Sequence, residues 1–333
     1  MPCSACPCRA HPHEAPSRGA RVTGGVPLAE VVRSEFVEGL HRGSVVVLDA
    51  SGVVLDRAGD VRSPIFPRSS NKPFQAIGML RSGLRLVDPA DLALVCASHY
   101  GEDQHVARVR TLLRSVGLDE GALRCPPDLP LHQPTAEAVI RAGGGRSRVQ
   151  MNCSGKHTGM LLTCLASGWS LEEYWLPEHP LQVRLRATVE EFTGEPAVAV
   201  GVDGCGAPVL AASLTGLASA YLRLVSAAPG SVERTVADAM RAHPEVVAGT
   251  GAEDTRIMRA VPGLLSKGGA EGVMAVAVPG AGAVALKIED GSMRARMPVL
   301  VSALRRLGVD VADLAEVPIL GGGEPVGEVR PIW

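Results

Sequence analysis

Ser44-Val45-Val46-Val47-Leu48-Asp49-Ala50-Ser51-Gly52-Val53-Val54-Leu55-Asp56 places two β-branched runs on either side of an Ala-Ser-Gly turn, and it reads as a β-hairpin. The run before it, Leu28 to Phe36, reads as another strand of the same sheet. A second hairpin signal stands near the other end of the chain, Gly272 to Val278 and Ala283 to Ile288, joined by Pro279-Gly280-Ala281-Gly282. Between the hairpins, apolar residues recur at three- and four-residue spacing over 73–82, 102–116, 135–142, 159–168, 180–192, 211–227 and 232–242, and a further such stretch, 294–307, follows the second hairpin. Strands, then helices, then strands and a helix predict an α+β fold. Its antiparallel sheet is built from the N- and C-terminal hairpins, is flanked by helices and carries a helical insertion.

With 333 residues, 46% of them hydrophobic and 20% charged, the chain can bury a large core. Four Phe, three Tyr and three Trp are too few for base-stacking platforms, and a net charge of −2 with both signs interspersed forms no basic stripe. Nucleic acid and anionic membranes are therefore poor candidate partners, which leaves a small molecule. No stretch approaches the ~18 uninterrupted apolar residues of a membrane span, and the N-terminus has no signal-like apolar region, so the expected location is cytoplasmic. Eight cysteines are too dilute for a disulfide scaffold and suit core or ligand roles. Residues 1–26 mix Cys3, Cys6, Cys8, His11 and His13 with Pro2, Pro7, Pro12 and Pro16, and are expected to form a disordered leader ahead of one catalytic domain at 27–333.

The stretch richest in chemistry is Arg68-Ser69-Ser70-Asn71-Lys72-Pro73. Proline is tolerated in a helix only within the first turn, so a helix should begin near Ser69. Ser69 and Lys72, three positions apart, then emerge on one face as a nucleophile beside a base. Ser98 and His99, in Cys96-Ala97-Ser98-His99-Tyr100, add a second hydroxyl and an imidazole before the next helix. Asn152-Cys153-Ser154-Gly155-Lys156-His157 packs amide, thiol, hydroxyl, amine and imidazole into one turn. Asp203-Gly204-Cys205 follows on glycine hinges. Cys153 and Cys205 together would suit zinc, with His157 as the conventional third ligand. Ser266-Lys267-Gly268-Gly269 leads into the strand at Val273. A Ser-x-x-Lys helix, a later serine and a Lys-x-Gly before an antiparallel strand resemble the element order of serine β-lactamases and penicillin-binding proteins, although the hydroxyl of Lys-Thr-Gly is missing.

Taken together with His243-Pro244-Glu245 and Lys287-Ile288-Glu289-Asp290-Gly291, these motifs resemble the rhizobial-type (class 3) L-asparaginase family over about residues 27–327. The resemblance implies a fold similar to serine β-lactamases and glutaminases, hydrolysis of the side-chain amide of L-asparagine to L-aspartate and ammonia, and a homodimer. It implies two hydroxyl–amine pairs in one site, Ser69 with Lys72 and Ser98 with Lys267, with Asp203 nearby. It also implies zinc held by Cys153, Lys156 and Cys205, which leaves His157 beside the ligands. The mechanism expected from these parts is attack by Ser69 on the amide carbonyl with Lys72 as base, an acyl-enzyme, and proton delivery to ammonia by the second pair. Arg68 is expected to bind the substrate carboxylate, and His99 and His157 to contact substrate. A glutaminase, whose substrate is one methylene longer, is the nearest alternative. A non-catalytic zinc or redox module would rest on the cysteines alone.

Overall fold

The computed structural model describes residues 24–333. The chain opens with β1 (Val26–Arg33), β2 (Phe36–Asp49) and β3 (Val54–Ala58). It then runs through α1 (Lys72–Arg81), α2 (Pro89–Val95), α3 (Asp103–Ser115), α4 (Gln133–Arg141), α5 (Ser154–Ser167) and α6 (Pro180–Thr193). A small hairpin, β4 (Val200–Val202) and β5 (Pro208–Leu210), precedes α7 (Leu214–Val225), α8 (Val232–Ala242), α9 (Pro244–Val247) and α10 (Glu253–Ala260). The last part holds β6 (Leu265–Gly268), β7 (Val273–Val278), β8 (Gly282–Ile288), α11 (Arg296–Arg306), β9 (Pro318–Gly321) and β10 (Glu324–Pro331).

The main sheet has the strand order β6-β7-β8-β2-β1-β10-β9, with β3 also on β2, and every pairing in it is antiparallel. The fold is α+β, as the two hairpins predict. β2 is the splice: Phe36 to Gly43 pairs with β1, while Gly43 to Asp49 pairs with Ile288 to Gly282 of β8. The two ends of the chain are thereby joined in one sheet. The strand expected over 28–36 is in fact broken at Ser34 and Glu35, both at positive φ (48° and 67°). A hairpin turn in that region usually advertises itself with Asn or Gly, and here it does not. Gly321-Gly322-Gly323 makes the turn of the β9–β10 hairpin.

β7 is buried at every position and β8 at all but Lys287, so both faces of this part of the sheet are covered. α7 packs on β2, β7 and β8, and α11 on β8, β10 and β2. α5, α6 and α8 pack around α1, which is buried continuously from Lys72 to Met79. Burying Phe74, Ile77 and Met79 completely contributes about 1.5–3 kcal/mol each. That makes α1 a rigid base for whatever its first turn carries. α2, α9 and α10 were not foreseen because four to eight residues are too few to show a helical period. α5 begins at Ser154, five residues before the periodic pattern does, because its polar first turn is buried like the rest. The expected leader falls mostly on residues 1–23, outside the described residues. Among the described residues, no helix is long and apolar enough to cross a membrane.

Candidate active site

The site lies where the edge strand β6 meets the turn that feeds α1. Arg68–Asn71 forms a 3₁₀ turn and the α-helix starts only at Lys72, with Pro73 in its first turn. Ser69 is therefore carried by the tighter turn. Arg68 holds φ +55°, a strained conformation for a side-chain-bearing residue, and its Nε donates to Asp203 Oδ1 at 2.7 Å. Ser70 anchors the turn to the sheet: its Oγ donates to the Lys267 carbonyl at 2.8 Å, and Tyr221 donates to the Ser70 carbonyl at 2.9 Å. A Cβ on Gly269 would stand 2.4 Å from the Pro67 carbonyl, so only glycine lets the end of β6 pass this close to the turn.

A cavity of about 610 Å³ opens here, within the size range of small-molecule sites. Its wall carries Ser69, Ser98, Lys267, Asn152, Asp254 and Arg296, with Tyr100, Glu253 and Glu271 also facing it. Ser98 is placed by backbone: its N–H donates to Val247, and the N–H groups of His99 and Tyr100 donate to Asn152 and Ala248. A Cβ on Gly249 would strike the Tyr100 ring at 2.4 Å, and the +145° φ there also requires glycine.

The amines do not pair as expected. Lys72 Nζ donates to Ser98 Oγ at 3.0 Å and to the Ala97 carbonyl, and no hydrogen bond joins Lys72 to Ser69 among the described residues. Because α1 starts only at Lys72, the lysine side chain runs under the turn toward the α2 end rather than back to Ser69. Lys267 Nζ donates to the Gly268 carbonyl at 2.7 Å and lies 3.6 Å from Asp254 Oδ2, in place of a bond to Ser98. Burial lowers Lys267 to about 8, with Asp254 opposing and Lys72 and Arg296 assisting.

None of the three residues expected to touch substrate lines the cavity. His99 is fully buried; its Nδ1 accepts from the Gly101 N–H at 3.1 Å, so the proton sits on Nε2, 2.9 Å from Ser154 Oγ. Burial, with His105 and Lys72 nearby, holds His99 well below the usual imidazole range. It braces the Ser98 loop as a neutral ring. His157 is equally buried and bonds Tyr174 through Nδ1 at 2.8 Å. Arg68 is taken up by Asp203, with Glu271 at 3.9 Å. Sequence clusters show which polar residues are near one another, but not which face a cavity and which face a core.

Cys153, Lys156 and Cys205 converge behind Asn152. Lys156 Nζ lies 3.1 Å from Cys205 Sγ, and Cys153 donates to Asn152 Oδ1 at 3.1 Å. The neighbouring Cys153 thiol drives Cys205 far below the ordinary thiol range against burial, with Lys156 adding to it. Burial works against the charge on Lys156, but the neighbouring Cys205 raises it above its usual value. Two thiols and an amine in contact, all buried, are a donor set that fits a soft divalent metal. His157 Nε2 is buried beside them without a hydrogen bond of ordinary geometry. Among the described residues no three His, Cys, Asp or Glu side chains converge as ligands, so the structure does not group His157 with the two cysteines.

Asp254, Glu253 and Arg296 escaped the motif reading; the only local trace is the pair Glu253-Asp254 opening a helix after Gly249-Thr250-Gly251. A broader signal went unused. The chain has four lysines, Lys72, Lys156, Lys267 and Lys287, among 33 lysines and arginines, and the first three are at most 2% exposed.

The cavity wall thus presents two serine hydroxyls and the Lys267 amine, with the Lys72 amine buried against Ser98. Residues 29–331 match the family L-asparaginase II, and the chain belongs to that family. It is an L-asparaginase, an amidohydrolase. Comparison with curated proteins gives no match. Among solved structures, the chain is similar to a β-lactamase from Mycobacterium bovis (16% identity, 75% of this chain and 88% of that one, TM-score 0.39). It is also similar to a hydrolase with promiscuous acyltransferase activity (13%, 82% and 93%, 0.42) and to a simvastatin synthase from Aspergillus terreus (12%, 80% and 90%, 0.37).

Proposed function

We propose that the chain hydrolyses L-asparagine through a serine acyl-enzyme formed in this cavity. The observation that carries the mechanism is the Lys72–Ser98 hydrogen bond on the wall that also presents Ser69 and Lys267. Ser69, whose hydroxyl makes no hydrogen bond among the described residues, is the nucleophile; its oxygen bonds to the side-chain carbonyl carbon and its proton passes by way of Ser98 Oγ to Lys72. Lys72 returns a proton through Ser98 to the departing nitrogen, which leaves as ammonia. Water then attacks the ester carbonyl carbon; Lys267 takes a proton from it and hands that proton to Ser69 Oγ as the ester bond breaks and aspartate is released. Arg296 and Glu253, an ion pair on the cavity wall, receive the substrate's carboxylate and ammonium.

Cys153, Lys156 and Cys205 would hold zinc, once Lys156 gives up its proton, and the ion would supply fixed positive charge behind Asn152. Residues 27–333 act as one catalytic unit in this reading. A cytoplasmic location is supported by Cys96, Cys125, Cys153, Cys164 and Cys205, all unpaired and buried. A homodimer follows from the family resemblance.

The test is ammonia release from L-asparagine and L-glutamine by the parent protein, Ser69→Ala and Ser98→Ala. The reading expects asparagine to be preferred and Ser69→Ala to lose turnover and acyl-enzyme together. It expects Ser98→Ala to acylate slowly. An unchanged rate in Ser69→Ala removes that residue as nucleophile.

A further inference from the structure

Asp254 sits in the first turn of α10, where the helix dipole favours a negative charge, and it is buried under the cavity wall. Its Oδ1 accepts from Ser266 Oγ at 2.6 Å, and both oxygens accept from the Gly268 N–H, at 2.8 and 2.9 Å. Oδ2 lies 3.6 Å from Lys267 Nζ. A buried carboxylate with all these partners has no freedom to turn. Resting on the serine–lysine reading above, we propose that Asp254 is the positioning residue of the site: its carboxylate, clamped by Ser266 and Gly268, fixes the Lys267 amine at the cavity wall and balances its charge when it takes a proton.

The surroundings of Lys267 require such a counter-charge. Lys72 from α1 and Arg296 from α11 face it as positive groups, and the Cys153 and Cys96 thiols face it from the α5 and α2 ends. Asp254 is the carboxylate in contact with it. Burial pushes the Asp254 carboxyl up, but Lys267, Ser266, Gly268 and Arg296 together bring it below the usual carboxylate range, so it stays ionised. Glu253, its chain neighbour, points to Arg296 instead. Tyr221 and Tyr100 are the remaining titratable groups around Asp254, and it disfavours ionisation of both. Without Asp254, Lys267 would face only like charge in a dry site, and its ammonium would be held less well than the amine.

The chain's four lysines make the test direct, because protein labelled with ¹³C at lysine Cε gives four signals and Lys267→Met assigns the one of interest. In the parent protein that signal is expected to titrate near pH 8. In Asp254→Asn, which keeps the shape and removes the charge, the midpoint is expected to fall by about one pH unit or more. The rising limb of kcat, which contains the deacylation step that Lys267 serves, is expected to move with it. If Asp254→Asn does not fold, Asp254→Glu decides, since a longer carboxylate resets the contact and changes the midpoint. An unchanged Lys267 midpoint in the folded variant overturns the proposal, as does a shifted midpoint with the kcat limb left in place. A parent protein that releases no ammonia from L-asparagine defeats the reaction reading instead, and the titration still decides whether Asp254 governs Lys267.

Discussion

At the scale of residues, this protein separates its two cations by task. Arginine carries the surface ion pairs, such as Arg81 with Glu191 and Glu233, while three of four lysines are buried in or beside the site. Arginine cannot lose its proton, whereas a lysine amine in a dry site can. The pH dependence follows. Lys267 has a folded value near 8, so at pH 7 roughly one molecule in ten carries it neutral. A step that needs it as a base gains as pH rises, and kcat is expected to climb with a midpoint close to pH 8, measured as steady-state ammonia release at saturating L-asparagine across a buffer series. A flat profile there would remove Lys267 from the base role. Ser69, Ser98 and Lys267 were legible from the sequence because each sits in a motif. The pairing was not, because the route of Lys72 to Ser98 depends on where a 3₁₀ turn becomes an α-helix.

At the scale of elements, the site is a junction between the Arg68–Asn71 turn and the end of β6, and its tolerance is small. Gly269→Ala would force a methyl against the Pro67 carbonyl. The expected cost is about 1–3 kcal/mol of stability, seen as a lower melting temperature, together with a fall in kcat as the Ser69 turn shifts. A wild-type kcat in that variant would show that the turn does not depend on β6. The ion pair of Arg68 and Asp203 belongs to the same junction, since it holds a residue in a strained φ. Asp203→Asn is expected to lower kcat while leaving the Lys267 titration unmoved. The hairpins β2–β3 and β7–β8 were readable because β-branched runs flank Gly-containing turns. The Ser34-Glu35 turn and the short helices were not, since nothing local marks them; β9–β10 has its glycine turn, but Pro318 and Pro325 in the flanking runs break the strand pattern.

At the scale of the whole molecule, β2 ties the two ends of the chain into one sheet, and the helical insertion between them brings α1, the α2 end, α10 and β6 to one cavity. The sequence could supply that topology only through the family resemblance; the spacing of strands and helices fixes the class but not which strand neighbours which. The metal reading is also a matter of the assembled fold, because Cys153 and Lys156 open α5 while Cys205 lies beyond β4. Lys156→Ala is expected to lower zinc content, measured by elemental analysis of purified protein. Light scattering of the eluting protein is expected to give twice the chain mass. The most direct test of the account is rapid quenching of the enzyme during L-asparagine turnover, followed by peptide mass spectrometry. The account predicts an aspartyl ester on the peptide containing Ser69, absent in Ser69→Ala; turnover without that ester, or an ester on Ser98 in its place, would contradict it.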